Sequence, residues 1–143
     1  MRCDHFDAGT CRSCSLLPQP YERQLAGKAE AIAATLSPVL GADEIAWLAP
    51  ASSPQKGFRT SAKLVVGGTR RRPTLGILGP DRRGIDLPGC PIQHPAINRA
   101  TPGLKRFIRS LSLTPYDVPT KRGELKNILI TVGAGEQLMI RFV

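Results

Sequence analysis

Four cysteines are the residues of this chain that are best suited to metal binding or redox chemistry. They are Cys3, Cys11, Cys14 and Cys90, so three lie within the first fourteen residues as C-x7-C-x2-C and the fourth stands alone far downstream. The two-residue gap lets the thiolates of Cys11 and Cys14 face one centre, and Gly9 permits a tight bend just before them. The pattern predicts a four-thiolate metal site in which Cys90 pins residues 1 to 19 onto the middle of the fold.

Three kinds of sulfur site are compatible with this spacing: two disulfides, a structural zinc site and an iron-sulfur cluster. The chain begins without an apolar run, so no secretory signal is recognised, and stable disulfides are rare in a reducing cytosol. Zinc usually draws on paired C-x-x-C knuckles, whereas iron-sulfur clusters accept unequal spacing. Spacing therefore favours iron-sulfur only slightly over zinc. His5 and His94 lie near cysteines, but four thiolates make a histidine ligand unnecessary.

Positive charge is concentrated in the second part of the chain. Residues 1 to 50 carry four basic and six acidic side chains, and the remaining residues carry sixteen and five, for a net charge of +9. Lys56 to Arg83 holds eight basic residues and one acidic residue. Because the arginine fork suits phosphate oxygens, a polyanion is the expected partner. No stretch approaches the roughly 20 apolar residues needed to cross a bilayer, so we expect a cytoplasmic protein without membrane contact.

Apolar periodicity then predicts the elements that must position these groups. A helix is expected from Pro20 to Leu36, ended by Pro38 and packed on a sheet, and a second helix carries Ile97 to Leu111 with a kink or restart at Thr101. Strands are expected in five stretches: Ile45 to Leu48, Phe58 to Val66, Thr74 to Leu78, Leu125 to Val132 and Leu138 to Val143. The fold class is α+β, a mostly antiparallel sheet with helices on one side and an N-terminal cysteine-rich metal-cluster segment.

A Gly-x-Gly pair after an apolar strand needs separate treatment, because nucleotide and S-adenosylmethionine sites often begin in this way. Gly133 and Gly135 follow such a strand, but a dinucleotide fingerprint requires another glycine where Leu138 stands. The pair therefore predicts a hairpin turn. The chain stops within an apolar strand, which indicates a truncated product or an excised piece.

Several motifs together resemble the bacterial iron-sulfur 23S ribosomal RNA (uracil-5-)-methyltransferases of the short type that lacks a TRAM domain. The resemblance spans nearly the whole chain. It is carried by Cys3 with Asp7-Ala8-Gly9 and Cys11-Arg12-Ser13-Cys14, Gly57-Phe58-Arg59 with Ala62-Lys63, Asp86-Leu87 with Cys90-Pro91, Leu113-Thr114-Pro115-Tyr116, Lys121-Arg122-Gly123-Glu124-Leu125-Lys126, and Arg141-Phe142-Val143.

The resemblance implies that Cys3, Cys11, Cys14 and Cys90 hold a 4Fe-4S cluster. It also implies that residues 1 to 19 form the iron-sulfur segment. Residues 20 to 143 then form a central α+β domain that binds 23S ribosomal RNA and is truncated at its C-terminus. The candidate RNA contacts are Arg59, Lys63, Arg70, Arg71, Arg72, Arg122 and Lys126. Such contacts would bind phosphates and position the RNA.

Catalysis in that family takes place in a C-terminal domain that binds S-adenosylmethionine, and no catalytic residue is assigned in the present chain. The four cysteines are accounted for as ligands, and a thiolate bound to iron is a poor nucleophile. We therefore expect a monomeric chain that is inactive as a methyltransferase on its own. The alternatives are a freestanding RNA-binding module with zinc or an iron-sulfur cluster, and a small electron carrier.

Overall fold

A computed structural model describes residues 1 to 40 and 45 to 143 of the chain. The elements follow the order α1 (Asp4–Asp7), α2 (Tyr21–Leu40), β1 (Ser61–Gly68), β2 (Pro73–Leu78), β3 (Gly84–Asp86), α3 (Pro95–Ser110), β4 (Asn127–Val132), a 3-10 turn (Ala134–Glu136) and β5 (Leu138–Phe142). The strands form one five-stranded sheet in the order β3-β2-β1-β4-β5, and each neighbouring pair is antiparallel. The predicted α+β class with a mostly antiparallel sheet is confirmed.

Strand β1 alternates buried and exposed residues because only one face of the sheet is covered. Ala62, Leu64 and Val66 are buried, whereas Ser61 and Lys63 are exposed. The paired residues of β4 on the covered face, Ile128 and Ile130, are fully buried as well. The opposite face of β1 therefore remains open and carries Lys63.

Helix α3 covers the buried face of the sheet. His94 caps its first turn, since its Nδ1 accepts a hydrogen bond from Ala96 N at 3.2 Å, and Pro95 occupies the first helical position. Its apolar stripe packs on β2 and β4, with buried residues Ala96, Ile97, Thr101, Leu104 and Ile108. This stripe joins the strand residues in one hydrophobic core.

The predicted restart of this helix at Thr101 is wrong. Helix α3 runs through Pro102 to Ser110, and the Thr101 hydroxyl donates to the carbonyl of Ile97 at 3.1 Å. Proline removes one backbone donor from the helix. The burial of Ile97, Leu104 and Ile108 on both sides of it outweighs this loss.

Three other expectations also need correction. Residues 45 to 48 form no strand. Helix α2 is present but extends past Pro38 to Leu40, and none of its residues is buried, so it does not pack on the sheet as expected. Residues 58 to 60 lie outside β1, because Arg59 instead forms a parallel bridge with Gln93.

Both predicted hairpins are present. Strands β1 and β2 pair around a turn in which Gly68 has a φ of +74°, and β4 and β5 pair across the residues that contain Gly133 and Gly135. The Gly-x-Gly pair is thus a hairpin turn, as its sequence context predicts. In the part of the chain that the structure describes, no helix is long and apolar enough to cross a membrane.

Candidate cysteine centre and basic surface

The four cysteines line one small cavity, together with His5, Phe6, Leu87 and Ile92 among others. Its volume is about 20 Å³. All four are free thiols; Cys3 is buried and the other three are partly buried. Folding therefore brings Cys90 to the three cysteines near the start of the chain, which is the juxtaposition that the spacing predicts.

Local backbone hydrogen bonds position Cys3 and Cys11, two of the residues that line this cavity. The carbonyl of Cys3 accepts the amides of Phe6 and Asp7 at 3.0 and 2.9 Å, which starts the short helix α1. The amide of Cys11 then donates to the carbonyl of His5 at 3.0 Å after a bend in which Gly9 has a φ of +74°. A residue with a side chain is strained at such a φ, so glycine suits this bend.

A separate set of contacts brings Cys90 to the same cavity. The His5 ring donates through Nε2 to the carbonyl of Pro88 at 2.6 Å, which joins α1 to the loop that precedes Cys90. On the other side, the Cys90 carbonyl accepts from Asn98 Nδ2 of α3 at 3.0 Å and from the amide of Gln93 at 3.1 Å. Helix α3 therefore fixes the backbone of Cys90, and His5 fixes the N-terminal side.

The electrostatics of Cys14 reflect this crowding of sulfur atoms. Burial raises the pKa of the Cys14 thiol, and charge repulsion from Cys90, Cys11 and Cys3 raises it further, while Arg59 acts in the opposite direction. Four thiols close enough to oppose ionisation are the kind of group that a bound cation stabilises, because the ligands must be deprotonated. The positive charge of the candidate RNA contact Arg59 therefore acts on the Cys14 thiol.

The donor set suits a metal group bound by thiolates, although the sulfur atoms do not form a single-ion site as they stand. Among residues 1 to 40 and 45 to 143, no three histidine, cysteine, aspartate or glutamate side chains are grouped so as to hold one metal ion. Four thiolates are a regular ligand set for zinc and for iron-sulfur clusters alike.

The seven candidate RNA contacts are all exposed, but they occupy separate places. Arg70, Arg71 and Arg72 lie in the turn between β1 and β2, and Arg70 Nε donates to Thr114 Oγ1 at 2.8 Å. That bond joins the turn to the segment of residues 113 to 126, which carries Arg122 and Lys126. Arg59 lies by the cysteine cavity and Lys63 lies on the open face of the sheet.

Two groups beside these contacts are not among the candidate RNA contacts that the sequence predicts. Tyr116 lies under the Lys126 ammonium group, which is 4.6 Å from the ring centroid. Tyr116 also lines a cavity of about 310 Å³ with Arg82 and Arg83. The second group is Arg141 of β5, in register with Leu129, which pairs with Lys63. Only the pairing of distant segments reveals these neighbours, since nothing in the local sequence relates them.

The similarity of this chain to known proteins extends over its whole length. It is 44% identical to the 23S rRNA (uracil(747)-C(5))-methyltransferase RlmC of Halothiobacillus neapolitanus and 42% identical to the RlmC proteins of Yersinia pestis and of an Enterobacter species, with all of this chain aligned. The chain is a relative of the 23S rRNA (uracil-C5)-methyltransferases and matches a part of them. It spans 37 to 38% of the length of these proteins.

A solved structure shares the fold of this chain. The crystal structure of Pyrococcus abyssi tRNA (uracil-54, C5)-methyltransferase in complex with S-adenosyl-L-homocysteine superposes with a TM-score of 0.68 over 92% of this chain and 31% of that chain, at 24% identity. At this identity the match establishes the shared fold. No protein-family model matches the chain. The predicted relationship to 23S rRNA (uracil-C5)-methyltransferases is confirmed.

Proposed function

We propose that this chain is the cluster-bearing and RNA-binding part of an S-adenosylmethionine-dependent methyltransferase that forms 5-methyluridine in 23S ribosomal RNA. The observation that carries the proposal is the match of all 143 residues, at 42 to 44% identity, to relatives named for that reaction. Residues 1 to 19, closed by Cys90, serve as the cysteine segment, and residues 20 to 143 serve as the RNA-binding domain. The chain acts in the cytoplasm as a monomer.

In this proposal Cys3, Cys11, Cys14 and Cys90 hold a 4Fe-4S cluster. Their common cavity and the raised pKa of Cys14 support the assignment, because thiols that repel one another when ionised gain most from a bound cation. The bound cluster would supply a rigid link between α1 and the loop before α3. Its role is structural, and the residues around it position the RNA.

Iron and sulfide content tests this assignment against zinc. The full chain purified without oxygen is expected to be brown, with about four irons and four sulfides per chain. Replacement of Cys14 by Ser should lower both contents, and replacement of Ser15 by Ala, beside it, should leave both unchanged. A colourless protein that contains zinc and no sulfide would establish the zinc-stabilised module instead.

The basic surface is proposed to bind phosphates of the ribosomal RNA. Arg59 and Lys63 are exposed, and Arg59 lies beside the cysteine cavity. Each phosphate contact adds about one to the slope of log affinity against log salt concentration. Changing Arg59 and Lys63 together to Ala should therefore lower the slope for a 23S rRNA transcript by about two.

A matched control separates a defined surface from general positive charge. Arg23 of α2 and Arg109 of α3 are also exposed. Their joint replacement by Ala removes the same two charges and should change the salt slope much less. Equal losses in both double variants would contradict the assignment of Arg59 and Lys63.

The 143 residues as an isolated polypeptide are proposed to lack methyltransferase activity. Every cysteine of the chain lines the cysteine cavity, so none is left as a nucleophile for the uracil ring. The Gly133 to Gly135 turn joins β4 to β5 and does not open a cofactor-binding helix. Methyl transfer from S-adenosylmethionine to 23S rRNA by this polypeptide would overturn the proposal.

The reaction itself can be tested in cells. Disruption of the gene for the methyltransferase of which this chain is proposed to be a part should remove one 5-methyluridine from 23S rRNA, as measured by mass spectrometry of rRNA digests. Reintroduction of the intact gene should restore it. An unchanged content of 5-methyluridine in the disrupted strain would argue against the methyltransferase assignment and leave an RNA-binding module.

A further inference from the structure

A cavity of about 360 Å³ lies beside the cysteine centre, and Cys14 lines both cavities. Its walls come from residues 13 to 17, the first two turns of α2 and residues 53 to 59; we name it the Tyr21–Phe58 cavity after two of its lining residues. Its volume falls within the roughly 300 to 1,000 Å³ of ordinary ligand pockets. The candidate methyltransferase function described above does not assign a ligand to it.

Hydrogen bonds between distant segments hold its walls in place. The Tyr21 hydroxyl accepts from the Ser53 amide at 2.8 Å, which joins α2 to the loop across the cavity. The amide of Gly57 donates to the Pro91 carbonyl and that of Arg59 to the Ile92 carbonyl, each at 2.9 Å, so the loop is also fixed to the segment before α3. A cavity fixed on both sides needs little reorganisation before it binds a ligand.

The lining combines a flat apolar surface with positive charge. Phe58 is 50% exposed, and Leu17 and Leu25 add apolar area. Lys28 and Arg59 supply two cations, and none of the lining residues in the described part of the chain is acidic. A ligand that matches this lining carries a planar apolar group and a negative charge.

An unpaired nucleotide has both properties. Proteins that bind single-stranded RNA stack splayed bases on aromatic side chains and bind the backbone with Lys and Arg. Gln24 lines the cavity, and its Nε2 donates to the Gln19 carbonyl at 3.0 Å, which leaves the amide oxygen as an acceptor. This oxygen can accept a hydrogen bond from an amino or imino group of a base.

We propose that the Tyr21–Phe58 cavity binds one unpaired nucleotide of the RNA strand, with its base against Phe58 and its phosphate between Lys28 and Arg59. This proposal rests on the RNA-binding function proposed above and adds the structural form of RNA that is recognised. In this proposal, the basic turn at residues 70 to 72 contacts phosphates and no base. The chain therefore prefers RNA with an exposed base to a continuous duplex.

Two oligoribonucleotides test the proposal on the full chain. One is a ten-nucleotide single strand with 2-aminopurine at its centre, and the other is the same strand in a duplex. The single strand should bind more tightly, and stacking on Phe58 should change the 2-aminopurine fluorescence. Replacement of Phe58 by Ala should weaken single-strand binding by about 5- to 150-fold, the usual value of one stacked base, with an unchanged salt slope. Phe58→Tyr should retain the affinity.

Trp47 provides the matched control, because it is 47% exposed and does not line this cavity. Trp47→Ala should bind like the parent protein. Lys28→Ala should lower the salt slope by about one. Circular dichroism of each variant checks that the fold is intact. If Phe58→Ala is unstable, the 2-aminopurine fluorescence and the salt slope of Lys28→Ala still test the proposal.

The outcomes distinguish this proposal from the function on which it rests. If the parent protein binds neither RNA, the RNA-binding function itself fails. If it binds RNA with a steep salt dependence but Phe58→Ala binds as well as the parent, the cavity proposal alone is overturned. Equal losses in Phe58→Ala and Trp47→Ala, or an equal affinity for duplex and single strand, would overturn it too.

Discussion

Two regions of this molecule are stabilised in different ways. The body, residues 61 to 142, contains the sheet and α3 and has six large side chains that are less than 2% exposed: Val66, Leu75, Ile97, Ile108, Ile128 and Ile130. The N-terminal region, residues 1 to 40, has a single buried residue, Cys3. The body has enough buried apolar surface to fold by the hydrophobic effect. The N-terminal region has a few polar contacts instead, and in the proposal above it also depends on the cluster that its cysteines bind.

The same substitution made in both regions gives the largest contrast. Ile128 is fully buried in β4, while Ile32 of α2 is 53% exposed. Ile128→Ala should lower the free energy of unfolding by about 2 to 5 kcal/mol, because it removes buried methyl groups and leaves a cavity. Ile32→Ala should stay within about 0.5 kcal/mol of the parent. Urea unfolding measures both, and similar costs for the two variants would show that α2 packs on the body.

The second prediction concerns the N-terminal region and depends on the proposed cluster. Cys90→Ser should speed hydrogen exchange at the amides of Phe6 and Cys11, whose bonds to Cys3 and His5 hold the cysteine segment together. The amides of β1 and β4 should exchange as in the parent, because the core does not include Cys90. The thermal midpoint of the body should fall less than in Ile128→Ala.

Parent protein stripped of its metal by a chelator is the control for this experiment. Its exchange pattern should match that of Cys90→Ser, because both lack the group that joins the four thiolates. Slow exchange at Phe6 and Cys11 in the stripped protein would mean that the hydrogen bond between His5 and Pro88 is sufficient to hold the segment. The cluster would then have no structural role.

Sequence reasoning was most successful where a local pattern determines the structure. Turns rich in glycine fix the β1–β2 and β4–β5 hairpins, and alternation places Leu64 and Val66 on the buried face. The cysteine spacing also predicts a common location for Cys14 and Cys90, and both line one cavity. The metal that the thiols hold stays a prediction.

It was less successful where distant segments compete with a local preference. Phe58 to Thr60 has the pattern of a strand, but the backbone of Arg59 pairs with Ile92 and His94 instead. That pairing builds one wall of the Tyr21–Phe58 cavity, and no property of residues 58 to 60 alone indicates it. For helix α2 the local pattern predicts the helix correctly, but the predicted packing of its apolar face on the sheet is absent, because none of its residues is buried.

The smallest predicted effect is the pH dependence of the segment that carries Arg122 and Lys126. The Thr114 amide donates to the Glu124 carboxylate at 3.0 Å, and this hydrogen bond, with a further one from the Thr114 side chain, lowers the pKa of Glu124. A carboxylate with a lowered pKa stabilises the folded state above its unfolded pKa, and this contribution is lost as the pH falls through the lower folded pKa. Glu124→Gln should therefore lower the thermal midpoint slightly at pH 7.

The difference between Glu124→Gln and the parent should shrink below about pH 4, where the carboxyl group is protonated in the unfolded chain and begins to protonate in the folded one. Glu22 of α2 is a matched control, because it is an exposed glutamate in the N-terminal region. Glu22→Gln should leave the thermal midpoint nearly unchanged at both pH values. If the thermal midpoints of Glu124→Gln and the parent differ by the same amount from pH 7 to pH 3, the effect comes from the introduced glutamine amide. The charge of Glu124 then does not stabilise the segment. The hydrogen bond from Arg70 to Thr114 would then be the main contact that holds that segment to the β1–β2 turn.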